Sequence, residues 1–223
     1  MQVQEKNIKG FNLIELLVVI AIISVISAAA YPNFSSWKKA REVRGAAVKI
    51  KSLFTNINSQ VQRGLYGFIQ VEVTASTTGG EVVVISKGMK LSNLAQKINN
   101  SEDVWNKDQT SRCAKDQDWD DEGNKSNKLE VNFLKFDDIA VNFEDKSGTV
   151  CFSKDGSWYS TAEKFDSSGA FYICEGKEIK CDVKDDGDPN DLDHDNLFAL
   201  NWSRFGNITL EKWSKSKSEW ILQ

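Results

Sequence analysis

The feature that most constrains this chain is an apolar run close to its N-terminus, which extends from Phe11 to Tyr31 and reads FNLIELLVVIAIISVISAAAY. At 1.5 Å per residue it makes a helix of about 32 Å, which is enough to cross the hydrocarbon core of a bilayer. Lys6 and Lys9 precede the run and no basic residue follows it directly, which places its N-terminus in the cytoplasm. Residues 11–31 are therefore predicted to form one helix that resides in a membrane.

Glu15 is the only charged residue in this run. A carboxylate in the apolar part of a bilayer costs about 2.5–3.5 kcal/mol on insertion scales, so it requires a partner or a function. Two simpler interpretations, a secretory signal peptide and an ordinary membrane anchor, leave Glu15 unexplained, and the run also lacks a convincing signal-peptidase site. The carboxylate therefore indicates that the helix does more than anchor the chain.

Residues 9–15, KGFNLIE, resemble the type IV prepilin signature. In that family a membrane aspartyl peptidase cuts after the glycine on the cytoplasmic side and methylates the new N-terminal residue. The resemblance implies cleavage between Gly10 and Phe11 and N-methylation of Phe11. Pro32 lies where these proteins commonly carry a helix-kinking proline, whereas Asn12 replaces their usual threonine or serine.

The resemblance also implies how the processed chain assembles. Cleavage leaves an ammonium group on Phe11, four residues before Glu15. In a filament, the Glu15 carboxylate of one subunit can pair with the Phe11 ammonium of its neighbour, which removes two unpaired charges from an apolar environment. We expect Phe11, Glu15 and Pro32 to act in assembly. The expected partners are other pilin subunits, a prepilin peptidase and an inner-membrane assembly platform.

The rest of the chain predicts an α+β fold. Apolar residues recur every three or four positions from Phe34 to Val61, which is the spacing of an amphipathic helix, and Gly64 and Gly67 are its candidate stop signals. Phe68–Ala75 and Glu81–Ser86 flank the turn sequence STTGG and predict a hairpin. A helix is predicted at Leu91–Ile98, a loop at 100–128, and strands at Leu129–Phe133, Ile139–Phe143, Thr149–Phe152, Ser157–Ser160, Ala170–Cys174, Leu197–Trp202 and Asn207–Trp213.

This order of elements predicts a long N-terminal helix packed on an antiparallel β-sheet. The resemblance implies that this arrangement is the pilin fold. Thr149–Ser157 (TVCFSKDGS) and Asn201–Leu210 (NWSRFGNITL) are similar to strand–turn–strand segments of GspH/FimT-type pseudopilins and minor pilins. That similarity favours a minor pilin or pseudopilin over a major pilin. The predicted organisation is a cleaved leader at 1–10, a transmembrane or filament-core helix at 11–31, an amphipathic helix at 32–66 and an extracytoplasmic β-rich domain at 67–223.

All four cysteines follow the apolar run, and an even number in an extracytoplasmic domain is typical of disulfides. Four cysteines allow three connectivities. We predict Cys174–Cys181, whose loop of six intervening residues can close across a hairpin, together with Cys113–Cys151. A four-cysteine zinc site is the alternative, although the chain has no CxxC spacing.

The aspartate-rich segment Asp182–Asp195 is a candidate Ca²⁺ site, because closely spaced carboxylates suit a hard cation. A solvated acidic loop is the alternative, since the terminal glutamate of an EF-hand is missing. No cofactor is expected to be required. The candidate ligands are Asp182, Asp185, Asp186, Asp188, Asp191, Asp193 and Asp195.

Two basic stretches suggest contacts with anions. Residues 38–51 are suited to anionic lipid headgroups or to DNA phosphates. The C-terminal stretch combines lysines with tryptophan, the composition of a nucleic-acid contact, although a packed terminal strand or helix is the alternative because two glutamates dilute its charge. The candidate nucleic-acid residues there are Lys212, Trp213, Lys215 and Lys217.

Charge is distributed unevenly along the chain. The net charge is −4, yet residues 1–100 hold 12 basic and 5 acidic side chains, whereas residues 101–200 hold 12 basic and 25 acidic ones. This asymmetry predicts different surroundings for the two parts. The single histidine, His194, lies among aspartates, and the sequence shows no nucleophile–base pair or phosphate-binding loop, so an enzyme is not expected.

These features together predict a structural subunit, a minor pilin or pseudopilin, of a type IV pilus or related filament. Before assembly the chain is expected in the bacterial inner membrane with its C-terminal domain outside the cytoplasm. After assembly it is expected in a cell-surface pilus or a periplasmic pseudopilus. The alternatives are a type II secretion pseudopilin that acts on secreted substrates, and a DNA-binding minor pilin for natural transformation.

Overall fold

The computed structural model describes residues 12–76, 80–100, 112–113, 129–141, 147–155, 157–160, 170–176, 181, 183–184, 189–190, 196–203 and 207–223. The chain divides into two compact units, residues 1–39 and 40–223. The elements in chain order are α1 (Leu13–Gln62), β1 (Phe68–Ala75), β2 (Glu81–Met89), α2 (Leu91–Asn100), β3 (Leu129–Asp137), β4 (Ile139–Val141), β5 (Ser147–Ser153), β6 (Trp158–Ser160), β7 (Ala170–Glu175), β8 (Phe198–Trp202), β9 (Ile208–Ser214) and β10 (Glu219–Leu222).

Helix α1 begins at Leu13 and continues through Pro32 to Gln62. Its end is set by Gly64, whose φ of 76° is a backbone conformation that favours glycine. The Gly64 amide donates to the Val61 carbonyl at 2.9 Å and the Leu65 amide donates to the Gln60 carbonyl at 3.1 Å. These two bonds form a Schellman cap, which satisfies carbonyls that the last turn would leave unpaired. Of the two candidate stop signals, Gly64 is the one that ends the helix.

The strands form two antiparallel sheets within the second unit. Sheet 1 has the order β3-β2-β1-β5-β6, and sheet 2 has the order β10-β9-β8-β7-β4. The predicted hairpin forms β1 and β2, in which Phe68 lies opposite Met89 and Ala75 lies opposite Val82. The α+β architecture predicted from the sequence is therefore confirmed.

The core lies between the second half of α1 and one face of each sheet. Alternate residues of β1, such as Val71 and Val73, face the helix, as do Phe171 and Ile173 of β7.

Phe54 of α1 lies where the two sheets meet and is fully buried. Its ring centroid is 5.9 Å from that of Phe152 in sheet 1 and 5.6 Å from that of Trp202 in sheet 2. The helix is thus held to both sheets by one aromatic cluster. The helix residues of this core are Val43, Ala46, Ala47, Ile50, Leu53, Phe54, Ile57 and Val61.

The chain passes from sheet 1 to sheet 2 at a tight corner between β3 and β4. Asp138 has a φ of 59° there, which is the left-handed conformation that aspartate tolerates better than most residues. The Gly176 amide donates to the Asp138 carbonyl at 2.8 Å, and a Cβ at position 176 would lie 2.7 Å from the Asp138 carbonyl carbon. Glycine is required at 176 because the backbones approach too closely for any side chain.

The predicted strand positions are confirmed, but several bounds differ. The structure extends β2 to Met89 and β3 to Asp137. Residues 142 and 143 of the predicted strand Ile139–Phe143 lie outside the described residues. The C-terminal stretch forms a strand, β10, which pairs antiparallel with β9 through Trp220 opposite Trp213. Of the predicted loop at 100–128, Asn100 is instead the last residue of α2, and the rest lies outside the described residues except for 112–113.

The turn between β5 and β6 gives a prediction of pH dependence. The Ser157 side chain and backbone amide both donate to Asp155, which holds the pKa of that carboxyl below its ordinary value. Because the folded-state pKa is lowered, the stabilisation is present above the unfolded pKa of about 3.9 and is lost as the pH falls through the folded value. Asp155→Ala should lower the free energy of unfolding at pH 7 by less than about 1 kcal/mol, as expected for an exposed charge. The difference from wild type should shrink in urea titrations as the pH falls below the ordinary Asp value, and a difference that is independent of pH would contradict the assignment.

Candidate functional site

The first half of α1 presents apolar side chains to solvent on every side. All residues from Asn12 to Ala28 are exposed. Leu13 is 76% exposed, and even Val19, the least exposed of the large apolar residues there, is 46% exposed. The set comprises Leu13, Ile14, Leu16, Leu17, Val18, Val19, Ile20, Ile22, Ile23, Val25 and Ile26.

A helix that is apolar all round is normally buried in a protein core or in lipid. Exposed apolar patches of more than a few hundred Å² are rare on monomeric soluble proteins and mark interaction surfaces. The polar side chain of Ser24 is accommodated internally, because its hydroxyl donates to the Ile20 carbonyl at 2.7 Å. The geometry therefore suits an environment without water, either lipid or the helices of other chains.

Glu15 lies in the first turn of α1 and is exposed. The amides of Glu15 and Leu16 donate to the Asn12 carbonyl at 3.0 and 3.2 Å, which starts the helix. A carboxylate is favourable near the positive end of a helix dipole.

Gly10 and Phe11, the predicted processing residues, lie outside the described residues, whereas Pro32 lies within α1. Within the described part of the chain, no helix meets the length and apolarity needed to cross a membrane.

Two aromatic residues of α1 are placed differently from the prediction. The helical spacing assigned Phe34 and Trp37 to the apolar face, but they are 62% and 55% exposed, with ring centroids 5.8 Å apart. Phe34 precedes the buried Val43 by nine residues, which at 100° per residue puts it on the opposite side of the helix. Apolar residues spaced three or four positions apart share one face of the helix over a short stretch. Over nine residues, however, the direction of the side chains has rotated to the other face.

The disulfides pair as predicted from the sequence. Cys113 bonds to Cys151 and Cys174 bonds to Cys181, with Cα atoms 5.7 and 5.8 Å apart. Both distances are typical of disulfides. The four cysteines are at most 3% exposed.

The Cys113–Cys151 bond fastens the chain at residue 113 to the outer face of sheet 1. It packs in a cluster with Phe68, Met89 and Leu94, the last of which comes from α2. The side chains of Gln70 and Thr149 both donate to the Cys113 carbonyl, at 2.9 and 3.2 Å. Sequence reasoning missed these two residues, because a polar side chain inside a predicted strand normally indicates the solvent face.

The candidate Ca²⁺ ligands of the segment Asp182–Asp195 all lie outside the described residues. Among the residues that the structure does describe, no group of three or more His, Cys, Asp or Glu side chains is placed to hold a metal ion. Calcium binding by this segment stays a prediction.

The C-terminal candidate residues lie on the β9–β10 hairpin. Lys212 and Lys215 line an open groove of about 760 Å³ together with Trp213, Ser214, Ser216, Ile221 and Gln223. Lys217 forms an ion pair with Glu219 at 3.5 Å.

Trp213 is only 3% exposed and packs edge-on against Trp220, with ring centroids 5.4 Å apart. Its ring belongs to the core on the outer face of sheet 2, which agrees with the packed terminal strand that the sequence offered as the alternative. Nucleic-acid binding by this stretch stays a prediction.

Comparison with known proteins identifies the N-terminal segment. The model of the prokaryotic N-terminal methylation motif matches residues 6–31. The chain is 40% identical over 47 residues to the type IV major pilin protein PilA of Myxococcus xanthus (strain DK1622), an alignment that covers 21% of each chain. It is 36% identical over 56 residues to a fimbrial protein of Pseudomonas aeruginosa, which covers 25% of this chain and 36% of that one. No solved structure matches the chain.

The similarity spans between about a fifth and just over a third of the length of these relatives. The chain thus carries the methylation motif at residues 6–31 and is distantly similar to type IV pilins. Pilins are structural proteins, so the similarity supports a structural protein rather than an enzyme.

Proposed function

We propose that this chain is a subunit of a type IV pilus or a related filament and that it assembles through the first half of α1. The observation that carries the proposal is the exposure, on all sides, of the apolar segment Leu13–Ile26 inside the region that matches the methylation motif. Helices of neighbouring subunits can cover this surface in a filament, and lipid can cover it beforehand. Before assembly the chain resides in the inner membrane, with its globular unit outside the cytoplasm. On assembly it enters a surface pilus or a periplasmic pseudopilus.

Processing follows from the same motif. A prepilin peptidase cuts between Gly10 and Phe11 and methylates Phe11, after which the Phe11 ammonium pairs with Glu15 of a neighbouring subunit. The exposed position of Glu15 in the first turn supports this role, since the carboxylate is accessible to another chain. The other partners are further pilin subunits and an inner-membrane assembly platform.

Gly10→Val tests this proposal, because only a small residue is expected to fit the peptidase site before the cut. The variant should remain as the full-length precursor in the membrane fraction, whereas wild type should be shortened by its leader. Intact-mass measurement of the chain from both strains gives the result. The matched control is Gly45→Val, the same change at a site remote from the motif, which should be processed normally. A Gly10→Val chain that begins at Phe11 would contradict the prepilin assignment.

Within this class we propose a minor pilin or pseudopilin. The two segments similar to GspH/FimT-type proteins form the β5–β6 and β8–β9 pairs of the structure, which supports the proposal. A minor subunit should be greatly outnumbered by another pilin in sheared filaments, as measured by quantitative mass spectrometry. If this chain were the most abundant pilin in those filaments, it would be a major subunit instead.

Two narrower functions remain alternatives. A type II secretion pseudopilin should be needed for export of folded substrates rather than for surface filaments. A DNA-binding minor pilin should bind DNA with an affinity that falls steeply with salt, through Lys212 and Lys215 in the groove on the β9–β10 hairpin. Lys212→Ala with Lys215→Ala would then reduce binding, and Lys90→Ala with Lys154→Ala is the matched control.

Calcium binding by Asp182–Asp195 is a separate proposal. A ligand that binds only the folded chain raises stability by about 2.7 kcal/mol at 100 times its dissociation constant. Thermal unfolding of the full chain in detergent should therefore shift upward with Ca²⁺, and less with Mg²⁺, which demands tighter geometry. Asp186→Ala with Asp188→Ala should abolish the shift. A melting temperature that ignores both Ca²⁺ and chelator would identify the segment as a solvated acidic loop.

A further inference from the structure

Two large aromatic side chains of α1 lie close together on its surface, outside the core. Phe34 is 62% exposed and Trp37 is 55% exposed, and their ring centroids are 5.8 Å apart. Neither belongs to a buried cluster of the described residues. Trp37 also interacts elsewhere within the chain, and that interaction leaves it more than half exposed. Two adjacent aromatic rings thus present apolar surface that the fold of a single chain does not bury.

The position of this aromatic pair along the helix matches the thickness of a membrane. The pair and the apolar segment Leu13–Ile26 belong to the same compact unit, residues 1–39. Phe34 follows Leu13 by 21 residues of continuous helix, which at 1.5 Å per residue is about 32 Å. The hydrocarbon core of a bilayer is about 30 Å thick, and the headgroup layer follows it. When Leu13 lies at one boundary of the hydrocarbon core, the aromatic pair lies at the other.

The chemistry of these side chains suits that boundary. Aromatic rings, and tryptophan in particular, are enriched where hydrocarbon meets headgroups, because one end of the indole is apolar and the other carries an N–H donor. Residues three and four apart share a face of a helix, so Phe34, Trp37 and Lys38 lie on one side of α1. A lysine can lay its apolar stem along such a surface and keep its ammonium among the headgroups.

Lys38 can make this contact without losing the one it already has. It is exposed and also interacts within the chain. An ammonium group has three donors, so a phosphate oxygen of a headgroup can be added to that interaction. The same face of α1 therefore offers two amphipathic or apolar rings to the edge of the hydrocarbon and a cation to the phosphates.

We propose that Phe34, Trp37 and Lys38 bind the phospholipid headgroup layer on the periplasmic side of the inner membrane and fix the depth of α1 before assembly. This inference rests on the proposed function, because it requires the apolar segment to reside in the membrane first. Interfacial tryptophan and lysine residues set how a helix sits in a bilayer. The proposal also explains why these two aromatic residues lie outside the core although their spacing is helical. Entry into a filament has to break this contact.

The location of Trp37 can be measured directly in the full-length chain. The chain is labelled with 5-fluorotryptophan and placed in bilayer nanodiscs of phosphatidylethanolamine and phosphatidylglycerol, and the fluorine resonance of Trp37 is identified by its absence from Trp37→Phe. A nitroxide on the lipid headgroup should relax this resonance at least about threefold faster than a nitroxide at the end of the acyl chain, because about 15 Å, half of the hydrocarbon core, separates the two probes. The buried Trp202 and Trp213 are internal references for nonspecific broadening.

The other results of this measurement would overturn the proposal. A Trp37 resonance that responds to neither nitroxide would place the ring in water or against protein, as expected if its partner were another subunit. A stronger response to the nitroxide at the end of the acyl chain would place the ring inside the hydrocarbon rather than at its boundary.

Phe34→Ala with Trp37→Ala tests whether the pair fixes the depth of the helix. The reporter is a nitrobenzoxadiazole dye on Val25→Cys, and it labels only that position because the four native cysteines are all in disulfides. Position 25 is about 18 Å from Leu13 along the helix, close to the middle of the hydrocarbon core. In otherwise wild-type chain the dye should be quenched most by a nitroxide at the end of the acyl chain. The ratio of that quenching to quenching by a nitroxide near the headgroup should fall at least about twofold in the double variant, because the helix then loses its interfacial anchor.

Two further variants separate the anchor from a general disturbance. Phe34→Tyr with Trp37→Tyr keeps two amphipathic rings and should preserve the quenching ratio. Phe133→Ala removes a comparably exposed aromatic side chain from β3, at 59% exposure, and should also leave the ratio unchanged. A double alanine variant with the wild-type ratio would overturn the proposed control of depth.

Failure of this inference can be told apart from failure of the proposed function. The dye at position 25 reports whether the apolar segment resides in the bilayer at all, and the processed chain in filaments reports whether it assembles. If the dye is quenched and the chain enters filaments but Trp37 does not sense the headgroup nitroxide, the inference alone is wrong. If the dye is not quenched by either lipid nitroxide and the chain is absent from filaments, both are wrong.

Discussion

Glu15→Val should be cut and inserted into the membrane normally but should enter filaments at least about a hundredfold less than wild type. The substitution leaves the Phe11 ammonium of the neighbouring subunit unpaired in apolar surroundings. Removal of one partner of a buried ion pair costs about 3–5 kcal/mol, and each 1.4 kcal/mol corresponds to a factor of about ten. The measurement is the ratio of chain in sheared filaments to chain in cells, by quantitative mass spectrometry.

Two further variants separate the lost charge from a general disturbance of the helix. Glu15→Gln keeps the size of the side chain without its charge and should assemble as poorly as Glu15→Val. Val18→Leu changes an exposed apolar residue one turn further along α1, keeps the charge of Glu15 and should assemble like wild type. If Glu15→Val entered filaments at the wild-type level, the pairing with Phe11 would be refuted.

Loss of the Cys113–Cys151 disulfide should lower the free energy of unfolding by about 4 kcal/mol. The bond closes a loop with a sequence separation of 38, and the loop-entropy relation gives about 4 kcal/mol for that length. Cys113→Ala with Cys151→Ala is the suitable variant, because both residues are fully buried in an apolar cluster and serine would bury an unpaired hydroxyl. Urea unfolding of the full chain in detergent measures the loss.

The second disulfide supplies the matched comparison. Cys174–Cys181 has a sequence separation of only 7, so the same relation gives about 2 kcal/mol for Cys174→Ala with Cys181→Ala. The first pair should therefore destabilise the chain roughly twice as much as the second. Equal losses, or a smaller loss at Cys113–Cys151, would contradict the loop-entropy account of the two bonds.

Features with local causes were predictable from the sequence. The period of the apolar residues gave the helix up to Gln62, and Gly64 ended it through a cap that only nearby residues form. The hairpin of β1 and β2 follows from two β-branched runs around a glycine-containing turn, and its pairing is fixed by neighbouring residues. Cysteine number and spacing led to the disulfide pairing in the same way.

Features that depend on distant residues were not predictable in this way. The division of the strands into two sheets depends on the corner at Asp138, where β3 and β4 meet the end of β7. The burial of Gln70 depends on the Cys113 carbonyl, 43 positions away. The contact of Trp213 with Trp220 depends on the pairing of β10 with β9. A single sequence gives no sign of such contacts, because the alternation of apolar and polar residues within a strand does not show which other segment of the chain packs against it.

The most direct test of the central claim, that this chain is a processed filament subunit, is the mass of its N-terminal peptide in sheared and purified surface filaments or pseudopili. We predict a peptide that begins at Phe11 and carries one added methyl group on its amino nitrogen. A chain recovered only in the membrane or soluble fraction, with residues 1–10 still attached, would contradict the account.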